Sequence, residues 1–206
     1  MERRRFVTGC AAVATVAGLS ASARAWAVAT PHFYSRARLV DVHGDPLKAR
    51  QLVSSLLRAD GATYAWSGGV GARHSVVAFS AICAHKLAYP TREVSFIRFQ
   101  PSRSPTSDGN VIHCCADHSV YDPAAGARVV SGPAPQPLAA ILLDYDPERD
   151  ELSALGTVGA EQFDAFFRKY NFKLALDYGA GKARLPVGAT TVVRELTEYC
   201  RQTIQC

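Results

Sequence analysis

The hydrophobic pattern changes character several times along the chain. Residues 3–5 are arginines, and no charged residue follows from Phe6 to Ala23, a stretch rich in Ala, Val and Gly. A lead-in over 30–61 comes next, with Leu39-Val40-Asp41-Val42 as a short strand. Asp45 as N-cap and Pro46 at the first helical position then predict a helix. Leu52, Val53, Leu56 and Leu57 share one of its faces, and Gly61 stops it. From 62 to 157 the apolar runs are short and β-like: Tyr64–Trp66, Ser75–Ile82, Val94–Phe99, Asn110–Cys114, Ala127–Val130 and Ala139–Tyr145. Turn clusters at Ser67–Gly69, Pro101–Gly109, Pro123–Gly126 and Asp146–Asp150 separate them. This spacing predicts a small antiparallel barrel or sandwich, with Pro101–Gly109 as a hairpin tip. The segment 158–206 reads as an α/β extension. Phe163, Phe166 and Phe167 mark a helix over Glu161–Tyr170, their stripe serving as core packing. Phe172–Tyr178 alternates like a strand, and Val192, Val193, Leu196 and Tyr199 predict a last helix over about Thr191–Thr203.

Composition narrows the class. The chain has 206 residues, 48% apolar and 20% charged, which excludes wholesale disorder and leaves room for one domain with extensions. The formal charge is +5, but +3 of it lies in residues 1–27, so a nucleic-acid partner is not expected. Six cysteines are too few for a disulfide scaffold of this length.

The arginines, the uncharged run, Arg24 and then Ala25-Trp26-Ala27 have the three-part layout of an export signal. The arginine pair, with Phe6 two positions after Arg4, resembles a twin-arginine signal, a route for proteins that fold before transport. Residues 1–29 are expected either to be removed or to be kept as an N-terminal membrane anchor. Eighteen uncharged residues lie near the lower limit for crossing a bilayer, and Ala, Gly and Thr drive insertion weakly. The body is expected in the periplasm or on the periplasmic face of the bacterial cytoplasmic membrane.

The chemistry lies in two short boxes, Cys83-Ala84-His85 and Cys115-Ala116-Asp117-His118, each following a β-like run. Two thiolates and two imidazoles on strand-end loops select zinc or iron–sulfur rather than magnesium or calcium. With Ser119-Val120-Tyr121-Asp122-Pro123, Gly126 and Ser131-Gly132-Pro133-Ala134-Pro135-Gln136-Pro137-Leu138, the region from about 75 to 145 resembles the Rieske iron–sulfur family.

The resemblance implies a Rieske-type β domain over 62–157 with two cluster-binding loops and one 2Fe–2S cluster. Cys83 and Cys115 would hold one iron, and His85 and His118 the other. Ser119 and Tyr121 would donate hydrogen bonds to the cluster sulfurs, and Gly132 and Pro133 would belong to a rigid shielding loop. It further implies electron transfer, with no catalytic residues of the chain's own. Donor and acceptor would be a quinol, or the catalytic subunit of an oxidase, and a c-type cytochrome. A quinol–cytochrome c reductase-like complex leads, and the small subunit of a periplasmic molybdenum oxidase is the alternative. A structural zinc domain on the same four ligands is the reading from a different class.

The sequence departs from the family pattern in places. Ala88 and Asp117 stand where quinol-oxidising members carry a bridging cysteine pair. His118-Ser119-x-Tyr121 is one residue shorter than the common His-x-Ser-x-Tyr. Cys114 reads as a buried thiol, or as a partner for Cys200 or Cys206. His32, His43, His74 and His113 are expected to be surface or satisfied structural histidines.

Overall fold

The computed structural model describes residues 32–49, 69–159 and 161–206. The signal or anchor segment 1–29, the helix face of Leu52–Leu57 and the Tyr64–Trp66 strand lie outside the described residues. Asp45 and Pro46 do not start the helix at the expected residue: Pro46 forms a β-bridge with Val40, Lys48 one with Glu151, and Ala49 is the first helical residue. Here an available strand edge outweighs the local capping signal.

The described chain is mainly β. The strands are β1 His32–Val40, β2 Val94–Ser95, β3 Ile97–Gln100, β4 Val111–Cys114, β5 Ser119–Asp122, β6 Arg128–Ser131, β7 Ala140–Asp146 and β8 Glu151–Val158. Helix α1 is Glu161–Tyr178, followed by β9 Thr190–Val192, a one-turn helix α2 Leu196–Tyr199 and β10 Gln202–Thr203. One four-stranded sheet runs β7-β8-β1-β9, a second runs β3-β4-β5-β6, and β10 pairs with β2. Pairing is antiparallel except β1 with β9 and β10 with β2. The first sheet therefore joins strands from the lead-in, the β region and the C-terminal extension. Among the described residues no helix is long and apolar enough to cross a membrane.

Each sheet has its own apolar cluster. Strand β8 alternates, and its buried Leu152 packs with Ala49 and Val76 against Leu39, Leu143 and Tyr145. On the second sheet Ile97, Tyr121, Ala127, Ala134 and Leu138 pack together with the two thiols Cys83 and Cys114. The chemistry-bearing cysteines are thus built into a core.

Two expectations for the tail change. Phe172–Tyr178 continues α1 instead of forming a strand. No Gly or Pro interrupts the chain before Gly179, and Lys173 pairs with Asp177 one turn on. Gly179, at φ 93°, ends the helix. The aromatic stripe packs as expected: Phe166 and Tyr170 each meet the Tyr89 ring at 5.0 Å. The helix predicted over Thr191–Thr203 is reduced to the single turn α2 between two strands. Thr190, Thr191 and Val192 are β-branched and pair along β1, an edge that rewards extended backbone more than the helical spacing does.

Candidate metal centre

Both boxes are hairpin-like turns beside the second sheet. The first is closed by Cys83 N–H to Ala88 O at 2.8 Å and Leu87 N–H to Cys83 O at 2.9 Å. Helix α1 braces it from outside, where Lys169 Nζ donates to Lys86 O at 2.6 Å. The second box connects β4 to β5, with Cys114 opposite Ser119 in register. Residues 115–118 form the loop, and His118 takes the left-handed φ of 60° that completes the reversal.

Gly132 lets the shielding loop close over this turn. Its φ is 90°, and a Cβ there would lie 2.6 Å from His118 O and from Ser119 Cα. The contact brings Ala134 N–H to Ser119 Oγ at 3.1 Å. Ser119 and Tyr121 are both fully buried. The Tyr121 hydroxyl lies 3.6 Å from Cys83 Sγ and accepts from Ala84 N–H at 3.3 Å.

Among the described residues the four expected ligands do not form one group within 4.8 Å. Cys83 Sγ, Cys114 Sγ and an Asp117 carboxylate oxygen lie within 4.8 Å of one another. Asp117 Oδ2 is 3.1 Å from Cys83 Sγ and 3.0 Å from His85 Nδ1. Cys115 is instead bonded to Cys206, 91 residues later, and offers no free thiol. His118 is exposed, and its ring nitrogen groups with His113 and Cys206. Cys114 is a buried free thiol, as one reading expected, yet it faces the site. Cys200 is also free and buried. The tail reaches Cys115 because Gln202 N–H and Ile204 N–H bond to Glu93 O and Ser95 O, alongside β2.

His113 differs from the expected surface or satisfied histidine. It is fully buried, and neither ring nitrogen has a hydrogen-bond partner among the described residues. Burial, then the neighbouring His118 and Arg98, holds it below the ordinary histidine range. Position 113 alternates with Cys114 across the sheet, a pattern compatible with either side being interior. The sequence alone therefore gave no signal of its burial.

Electrostatics mark Cys83 as the more acidic thiol. A hydrogen bond from Cys114 brings it down to about 7 against the opposing effect of burial. The same pairing, with burial, pushes Cys114 up. Burial and the Cys83 sulfur push Tyr121 up, keeping its hydroxyl protonated as a donor. Asp117 has a side chain only 1% exposed. Burial alone would raise its carboxyl, but the Ser119 N–H and the two thiols outweigh burial and hold it below the usual carboxylate range. The buried Asp117 carboxylate, set against Cys83 Sγ and His85 Nδ1, completes a donor group that a metal ion would suit.

His118→Gly is expected to stabilise the fold by about 1 kcal/mol, because the left-handed turn penalises a side chain. A denaturant midpoint at or below wild type would argue against that turn geometry.

The soluble domain of the Rieske protein II (soxF) from Sulfolobus acidocaldarius is similar to this chain. The two share 25% sequence identity over 60% of this chain and 68% of that chain, with a TM-score of 0.36. No family model matches the chain, and no curated protein matches it.

Proposed function

We propose that this protein is an electron-transfer protein whose Rieske-like domain holds one 2Fe–2S cluster between its two loops. The observation that carries the reading is the convergence of two buried thiols, a buried carboxylate and an imidazole beside the Tyr121 hydroxyl. The donor set fits such a group: the thiols are free, adjacent and enclosed by Ile97, Ala127, Ala134 and Leu138. Bound there, a 2Fe–2S cluster accepts one electron and gives it up again. The chain's own residues do the rest. Cys83 is readily available as a thiolate, the form that binds metal. The apolar cluster and the Gly132 loop exclude water. His85, with 37% of its side chain exposed, offers the contact point for a partner.

The donor is a quinol or the catalytic subunit of an oxidase, and the acceptor a c-type cytochrome. The work is done at the periplasmic face of the bacterial cytoplasmic membrane. The three-part signal layout supports export, and so does the Cys115–Cys206 disulfide, since such bonds persist in oxidising compartments.

Anaerobic purification of the full chain, followed by iron and acid-labile sulfide assays and EPR after reduction, tests the reading. Two irons and two sulfides per chain with a paramagnetic reduced form are expected. A colourless zinc protein would overturn it. Tyr121→Phe should keep the cluster and lower its midpoint potential. A hydrogen bond of about 1 kcal/mol corresponds to about 40 mV for one electron. An unchanged potential would remove Tyr121 from the site.

A further inference from the structure

We infer that the second loop supplies Cys114 and Asp117, not Cys115 and His118, so that two thiolates, one imidazole and one carboxylate would hold the iron–sulfur centre. The inference rests on the electron-transfer reading above.

Four observations carry it. Cys114 Sγ and an Asp117 oxygen are the second-loop atoms grouped with Cys83 Sγ, within 4.8 Å. Asp117 Oδ2 also meets His85 Nδ1 at 3.0 Å, so one carboxylate touches both donors of the first loop. The Cys115 sulfur is closed into its bond with Cys206. His118 occupies the left-handed corner of the turn, exposed, with its ring toward His113 at 6.3 Å between centroids.

Hairpin register explains the arrangement. Pairing of Cys114 with Ser119 makes Cys114 the last strand residue and turns it into the core, leaving Cys115 as the first residue of the loop. Counting from Asp117 gives Asp117-x-Ser119-x-Tyr121, which restores the spacing that is one residue short when counted from His118. A buried carboxylate is chemically suited to ferric iron and adds one negative charge relative to a neutral imidazole. The centre should therefore be harder to reduce than one with two histidines, because each added anion stabilises the oxidised form.

The decisive readout is the number of imidazoles on the iron. Pulsed EPR of the reduced full chain is expected to show coupling from one histidine. His118→Gly, and the double variant Cys115→Ser with Cys206→Ser, should keep the signal and that single coupling. Asp117→Ala should lower cluster content by about tenfold or more, as loss of a metal-site partner does. Asp117→His should restore content, add a second imidazole coupling and raise the midpoint potential.

Two imidazole couplings in the wild type, one of them lost in His118→Gly, would overturn the assignment and leave the electron-transfer reading intact. A chain without iron and labile sulfide would overturn the reading beneath it.

Discussion

Cys206→Ser is expected to destabilise the folded chain by about 4 kcal/mol and to lower its thermal midpoint by about 10 °C or more. The bond it removes joins residues 91 apart, and restricting a loop of that size is among the larger entropic constraints on an unfolded chain. Little else fixes the tail at this point. Strand β10 is two residues long, α2 is a single turn, and three backbone bonds, from Arg201, Gln202 and Ile204 to Arg92, Glu93 and Ser95, hold the rest. Loss of the disulfide should therefore also loosen the segment after Tyr199, freeing the backbone at the already exposed Arg201 for cleavage by trypsin. Thermal unfolding and limited proteolysis of wild type and variant, each with and without reductant, measure both effects. Equal midpoints for oxidised wild type and variant would mean that Cys206 is not bonded to Cys115. The variant should still bind iron and sulfide, because the thiols grouped with Asp117 are elsewhere.

Gly132→Ala should cost about 3 kcal/mol or more, combining a left-handed backbone penalty with steric overlap. The overlap falls on backbone atoms of His118 and Ser119, which cannot rotate away as a flexible side chain would. Relief requires the Ser131–Ala134 segment to lift off the turn, breaking the Ala134 to Ser119 hydrogen bond. The cluster loop would then lose its cover, and iron retention should fall together with stability. Gly44→Ala is the control. Its φ is +91°, yet nothing lies within 4 Å of the new Cβ. It should cost about 1 kcal/mol, the backbone term alone. Equal losses at the two positions would show that the packing of Gly132 on the turn has no energetic weight.

The β character and the first box were legible from local pattern. Short apolar runs with turn clusters between them gave β3, β4, β6 and β7 nearly in place. Cys83-Ala84-His85 forms a loop that reaches the site with both donors, although the run before it, Ser75–Ile82, makes only isolated bridges at Val76 and Phe79 and no strand. Strand β5 was hidden because Ser119-Val120-Tyr121-Asp122 was read for its chemistry, although it pairs on both sides. The second box was harder for a physical reason. Cys114 and Cys115 are adjacent identical thiols, and either can head a metal-binding spacing. A one-residue shift reverses which side chain faces inward. That choice belongs to the β4–β5 pairing, which is not contained in either segment alone.

What the sequence determined by itself is the inventory: a mainly β chain, two loops rich in thiol and imidazole, and a glycine where the covering loop must turn. Those follow from short-range periodicity and from residues whose backbone preferences act locally. The tertiary structure decided which donors gather and which are diverted. It placed Asp117 between Cys83 and His85, drew Cys115 away to the C-terminus and enclosed His113. Those outcomes depend on contacts between residues far apart in the chain. Their energies come from strand register, burial and a long-range cross-link, none of which local pattern encodes.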